Sequence, residues 1–154
     1  MSQVEARLAE HGYTVPEVAV PVAAYIPAVR TGNLIYTSGQ LPFANGELLA
    51  TGIHGTDVDE EAGALAAAQC ALNAIAAVKS VVGDLDKVVR VVKVVGFVAS
   101  APTFTKHPVV INGASELLAK AFGDSGVHAR SAVGVAALPL NAAVEVEVIV
   151  EVRD

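Results

Sequence analysis

A chain of 154 residues with a formal charge of −6 and a pI near 5.1 is long enough for one domain that buries most of the surface its unfolded form exposes. Its ten lysines and arginines are scattered singly, so no basic stripe tracks a phosphate backbone and nucleic acid is not the expected partner. The single cysteine, Cys70, rules out an internal disulfide framework, no leader pattern is legible, and charged or polar residues interrupt every candidate membrane-spanning run, so a cytoplasmic chain away from membranes is expected.

In chain order, Val4-Glu5-Ala6-Arg7-Leu8-Ala9, closed by Gly12 and Pro16, predicts a helix of about two turns. Two strand-like runs follow, Ala24–Arg30 and Asn33–Ser38, parted by Thr31-Gly32, whose glycine supplies the positive φ of a tight hairpin. Gly39 to Gly55 reads as loop, with a short strand at Glu47-Leu48-Leu49. The D-x-x-E pattern Asp57-Val58-Asp59-Glu60 starts an alanine-rich helix over Glu60–Val82, stopped by Gly83; Leu65, Ala68, Leu72 and Ile75 recur at helical spacing. Leu85 to Val89 begins as a turn and leads into a valine-rich strand reaching Ser100.

A second long helix is predicted from about Pro108 to Phe122, with Pro108 in the first turn and Gly123 as its cap. Two strands close the chain, Ser131–Ala137 and Ala143–Val152. The last alternates cleanly, with Val144, Val146, Val148, Val150 and Val152 on one face and Glu145, Glu147, Ile149 and Glu151 on the other. This order predicts an α+β fold in which both long helices lie on one side of a sheet. The strand through Val88–Val98 is apolar on both faces, with Val91, Val95 and Phe97 on one and Val92, Val94 and Val98 on the other. Two helices cover one face only, so a second copy of the chain is the simplest cover for the other.

Candidate chemistry is concentrated near the C-terminus. Arg130 opens one strand and Glu145 lies on the next, a fixed cation and a carboxylate that one cleft can share. Taken singly, each has a plainer alternative, a surface ion pair for the arginine and a solvated strand face for the glutamate. His11, His54, His107 and His128 lie more than 20 residues apart and form no metal-ligand spacing, so no metal is expected. Cys70 sits mid-helix among alanines as a small hydrophobe, and neither a G-x-S-x-G elbow nor a nucleotide-binding loop is present. Tyr25, beside Pro27, is placed for a cleft rim.

Ala24-Tyr25-Ile26-Pro27-Ala28-Val29, Gly32 through Thr37-Ser38-Gly39-Gln40-Leu41-Pro42, and Ala129-Arg130-Ser131 through Leu138-Pro139 to Val144-Glu145-Val146 resemble the Rid, or YjgF-like, family of imine/enamine deaminases over residues 22 to 152. The resemblance implies a single domain over residues 1–154 with residues 1–21 as an N-terminal extension. It also implies a chorismate-mutase-like α+β fold, one mixed sheet with two long helices on one face, and sheets facing inward in a homotrimer with ligand clefts between subunits. In that pattern Arg130 binds the substrate carboxylate and Glu145 positions the attacking water. Ala132 lends backbone groups, Tyr25, Ser38 and Gly39 line the cleft, and Asn112 belongs to the wall shaped by Val110–Ala114.

The implied reaction is hydrolysis of a small 2-imino acid to a 2-keto acid and ammonia with no cofactor. A trimer that binds small carboxylates without turnover is the alternative, and ribonuclease action a third reading. Ala132 stands where the family often has cysteine, Gly134 where its best-studied deaminases have glutamate, and the Ala101–Ser115 region is longer, as in a longer and less characterised branch.

Overall fold

The computed structural model describes residues 1–18 and 24–154. The end of the expected N-terminal extension, 19–21, and the first two residues of the family-like stretch, 22 and 23, lie outside the described residues.

The first helix, α1 (Gln3–Glu10), starts at a capping box. Ser2 Oγ accepts from the Glu5 N–H at 3.1 Å, and the Glu5 carboxylate accepts the Ser2 N–H at 2.9 Å. Glu5 also pairs with Lys79 at 2.5 Å. The Lys79 ammonium, aided by the Ser2 donors, holds the Glu5 carboxyl down at about 2. Val4 and Leu8, one turn apart, are buried in the core. The Asp86 carboxylate accepts the Gln3 N–H at 2.9 Å, so this part of the extension is docked to the domain.

The hairpin forms as β1 (Ala28–Thr31) and β2 (Leu34–Thr37) around Gly32 at φ +58°. It is shorter than the apolar runs because Pro27 has no N–H to give, and Ser38 turns back onto the Pro27 and Ile26 carbonyls at 2.8 and 2.6 Å. The sequence reading missed β3 (Phe43–Ala44), which pairs with β4 (Glu47–Leu48) across the two-residue turn Asn45-Gly46, both at positive φ.

The long helix α2 (Glu60–Val82) has the expected bounds, but its cap is Asp59, which accepts the Ala62 N–H at 2.7 Å. Asp57 instead accepts from Ile53 at 3.0 Å, so the D-x-x-E box does not form. By length and composition α2 passes as a membrane-crossing helix, yet most of its central side chains are buried inside the domain. The other elements are β5 (Val88–Ala99), α3 (His107–Phe122), β6 (Ala129–Val135) and β7 (Val144–Val152). Helices α2 and α3 approach so closely that a Cβ at Gly113 would overlap the Ala64 carbonyl.

The five-stranded sheet runs β1-β2-β7-β5-β6, antiparallel except for the parallel pair β5 and β6. Strand β7 alternates as expected, its valines buried beneath the helices. Strand β5 does not keep one period, because irregularities between Val88 and Arg90 and between Val91 and Lys93 shift its register. Val91 therefore shares the buried side with Val94 and Val98, whereas Val95 and Phe97 lie on the open side. Hence the expected grouping of Val91 with Val95 and Phe97 is corrected. Strand β5 also stands between β6 and β7, so the strands carrying Arg130 and Glu145 are not neighbours.

Candidate active site

The register sorts the candidate residues by face. Arg130 pairs with Val94, Ala132 with Gly96 and Gly134 with Val98, so these three positions of β6 face the helix layer. Glu145 pairs with Phe97 and lies on the open face with Glu147. Within one chain, Arg130 and Glu145 are on opposite sides of the sheet.

On the helix side, Arg130 is half-buried and is held by α3. One guanidinium nitrogen donates to Ser115 Oγ and the other to the Pro108 carbonyl, each at 3.1 Å. Asn112, exposed on α3, lies four residues after Pro108 and three before Ser115, on the helix face that reaches Arg130. Both partners of the guanidinium are neutral oxygens, and among the described residues no carboxylate lies within ion-pair distance of it. The surface ion pair weighed from sequence is absent there, and the positive charge is free to meet an anion.

Ala132 and Gly134 give this side a low floor. A Cβ at Gly134 would lie 2.5 Å from His107 Nε2 and 2.6 Å from Ser100 Oγ, so a glutamate here would have to displace those side chains. His107 takes that space, bonded to Ser100 Oγ at 3.1 Å and edge-on to Phe104 with centroids 5.3 Å apart. The Ala101–Ser115 region, expected to shape a cleft wall, contributes His107 and Phe104 to this side. Behind it His54 is wholly buried: its ring Nδ1 donates to the Ala99 carbonyl at 3.0 Å, and Nε2 meets Gly63 without a hydrogen-bond partner. Desolvation pushes the His54 pKa below its ordinary value.

Tyr25, Ser38, Gly39 and Glu145 form a second group around β7. The bridge between Gln40 and Val146 lays Ser38-Gly39 beside Glu145, while the Ser38 hydroxyl donates to the carbonyl of Ile26, next to the exposed Tyr25. A Cβ at Gly39 would overlap Glu145 Oε1, so the carboxylate occupies space that only glycine leaves. Burial, followed by repulsion from Glu147, raises the Glu145 pKa above the ordinary 4.5. Cys70 is fully buried, its thiol pushed well up by desolvation, as a structural cysteine requires.

Ser100, His107, Ser115 and His128 were not assigned from sequence. Ser115 had a usable signal, its shared helix face with Asn112; the others depend on the path of the loops. Among the described residues, no group of three or more His, Cys, Asp or Glu is placed to hold a metal ion.

The chain is thus an α+β domain with a half-buried arginine on one sheet face, held by neutral oxygens, and a half-buried glutamate on the other. The family model described as "YjgF/chorismate_mutase-like, putative endoribonuclease" matches residues 5–152, and the chain belongs to this family. A solved Agrobacterium tumefaciens protein of unknown function superposes with a TM-score of 0.92 at 49% identity, covering 97% of this chain and 92% of that one. Protein TCP17 from Trypanosoma cruzi is 42% identical over 153 residues, 99% of this chain and 96% of that protein. A 2-iminobutanoate/2-iminopropanoate deaminase from Dermatophagoides farinae is 35% identical over 140 residues, 90% of this chain and 93% of that enzyme.

Proposed function

We propose that the chain hydrolyses small 2-imino acids to 2-keto acids and ammonia in clefts between the copies of a homotrimer. The supporting observation is a pair of half-buried charged residues, Arg130 and Glu145, on opposite faces of one sheet and without an ion-pair partner among the described residues. A site that uses both takes the arginine from one copy and the glutamate from the next. The open sheet face carries exposed Val29, Tyr36 and Val133, the kind of apolar surface that a second copy covers.

In that cleft Arg130 fixes the substrate carboxylate and Asn112 and Tyr25 flank it, with Ser38, Gly39 and Ala132 as lining. The imine carbon next to a carboxylate is already electrophilic, so orientation and one activated water supply most of what the step requires. Glu145 takes a proton from water as the water oxygen bonds to that carbon. The C=N π pair moves to nitrogen, which takes the proton back from Glu145 to give the carbinolamine. The hydroxyl proton then passes by way of the same carboxylate to the amino group, the C–N bond breaks, the nitrogen leaves as ammonia, and the oxygen remains as the ketone. A raised pKa makes Glu145 a stronger base once ionised. The family's endoribonuclease label finds less support here, since the chain is acidic.

The test is ammonia release from imines generated in place by an amino-acid oxidase. The parent chain is expected to accelerate release, and Arg130→Ala to lose about a hundredfold or more in kcat/KM. Saturable keto-acid binding with no acceleration would instead make this a carboxylate-binding trimer.

A further inference from the structure

Arg130 is the last member of a hydrogen-bonded chain that begins at the backbone before β6. The Gly126 carbonyl only accepts, so the 2.6 Å bond to His128 Nδ1 places the ring proton on that nitrogen. In the neutral ring Nε2 is then an acceptor, and the Ser115 hydroxyl lies 2.9 Å from it. With its proton committed to Nε2, Ser115 Oγ presents lone pairs outward and accepts from Arg130 at 3.1 Å. Every donor and acceptor in the series thus has one sense, from guanidinium to hydroxyl to imidazole to carbonyl.

We propose that Ser115 and His128 are positioning residues that aim the Arg130 guanidinium at the substrate carboxylate. They touch no reacting atom. Two of the five guanidinium N–H groups go to Ser115 and Pro108, and three remain, enough for a bidentate carboxylate. A hydroxyl alone can rotate and present its own hydrogen to the arginine. Anchored by an imidazole of fixed tautomer, it presents only lone pairs. His128 stands two residues before Arg130 and Ser115 one helical turn after Asn112, so the series ties the edge strand to the cleft-facing side of α3. The idea rests on the carboxylate-clamp reading of Arg130, and its test separates the two.

The experiment measures the Kd for pyruvate, the KM and kcat for imine hydrolysis, and the His128 tautomer by long-range proton–nitrogen NMR. Ser115→Ala and His128→Ala are each expected to raise Kd and KM about tenfold with a much smaller change in kcat. Ser115→Thr, which keeps the hydroxyl, and His128→Gln, which keeps an acceptor near Nε2, should recover most of the loss. The double alanine variant should be no worse than the poorer single one, because both break one series. A Kd within twofold of the parent for Ser115→Ala, additive losses in the double variant, or a His128 proton on Nε2 would each overturn the proposal. If the parent binds no keto acid, the clamp reading fails, while the tautomer still decides whether the series exists.

Discussion

The two faces of the sheet hold their charges by different means. On the helix side Arg130 is oriented by hydrogen bonds from α3, to Ser115 and to Pro108. On the open side no hydrogen bond to the Glu145 carboxylate is found among the described residues, and its place is set by the missing side chain of Gly39 and by burial. A cation that must bind a carboxylate gains from a fixed fork. A base that must collect a proton gains from weak solvation, which hydrogen-bond donors would undo by favouring its ionised form too strongly. One half of the proposed site is built from polar contacts and the other from space.

The largest test breaks the comparison by separating the halves. Arg130→Ala and Glu145→Gln proteins are each expected to be inactive, the second losing about 10²- to 10⁴-fold in kcat. Co-expressed in equal amounts, they should regain about one quarter of the parent's activity, since a site built from two copies draws both intact residues one time in four. No gain over the separate variants would place both residues within one chain's own site. Next in size is Gly39→Ala. Its Cβ displaces the Glu145 carboxylate, and a misplacement of that order is worth about a hundredfold in kcat. Gly39 is not among the positive-φ glycines, so its thermal midpoint should stay close to the parent's. Unchanged kcat in that variant would show that the carboxylate's position is not set by Gly39.

Much of this architecture was legible in the residues. Strand β7 could be read because valine and glutamate alternate without a break, and α2 because its alanine-rich run ends at Gly83. Strand β5 was misread for a physical reason. With valine on both sides of the slip, no change of residue type marks where the period fails. Its place between β6 and β7 was also invisible, since the parallel pairing with β6 is made through α3 and not through a turn. Arg130 and Glu145 stand out in the sequence by type and surrounding motif. Their separation onto opposite faces follows from strand order, and the Ser115–His128 contact from how α3 meets β6, neither of which has a local signature.

The smallest effect tests the electrostatics of the open face alone. As the proposed base Glu145 has to be ionised to accept a proton, so kcat/KM should rise with pH through a pKa above 4.5. Glu147, two residues on along the same face, is the second cause of that elevation after burial. Glu147→Gln should move the rising limb to lower pH, with a plateau no higher than the parent's. Stability carries the opposite sign. Between 4.5 and the raised value the folded chain holds a proton that the unfolded chain has lost, so stability falls as pH rises through that window. Above it, ionised Glu145 is a net cost, and Glu145→Gln should melt higher than the parent at neutral pH while turning over nothing. A variant that is both inactive and less stable would mean that the ionised carboxylate supports the fold, contrary to a base held by burial and space.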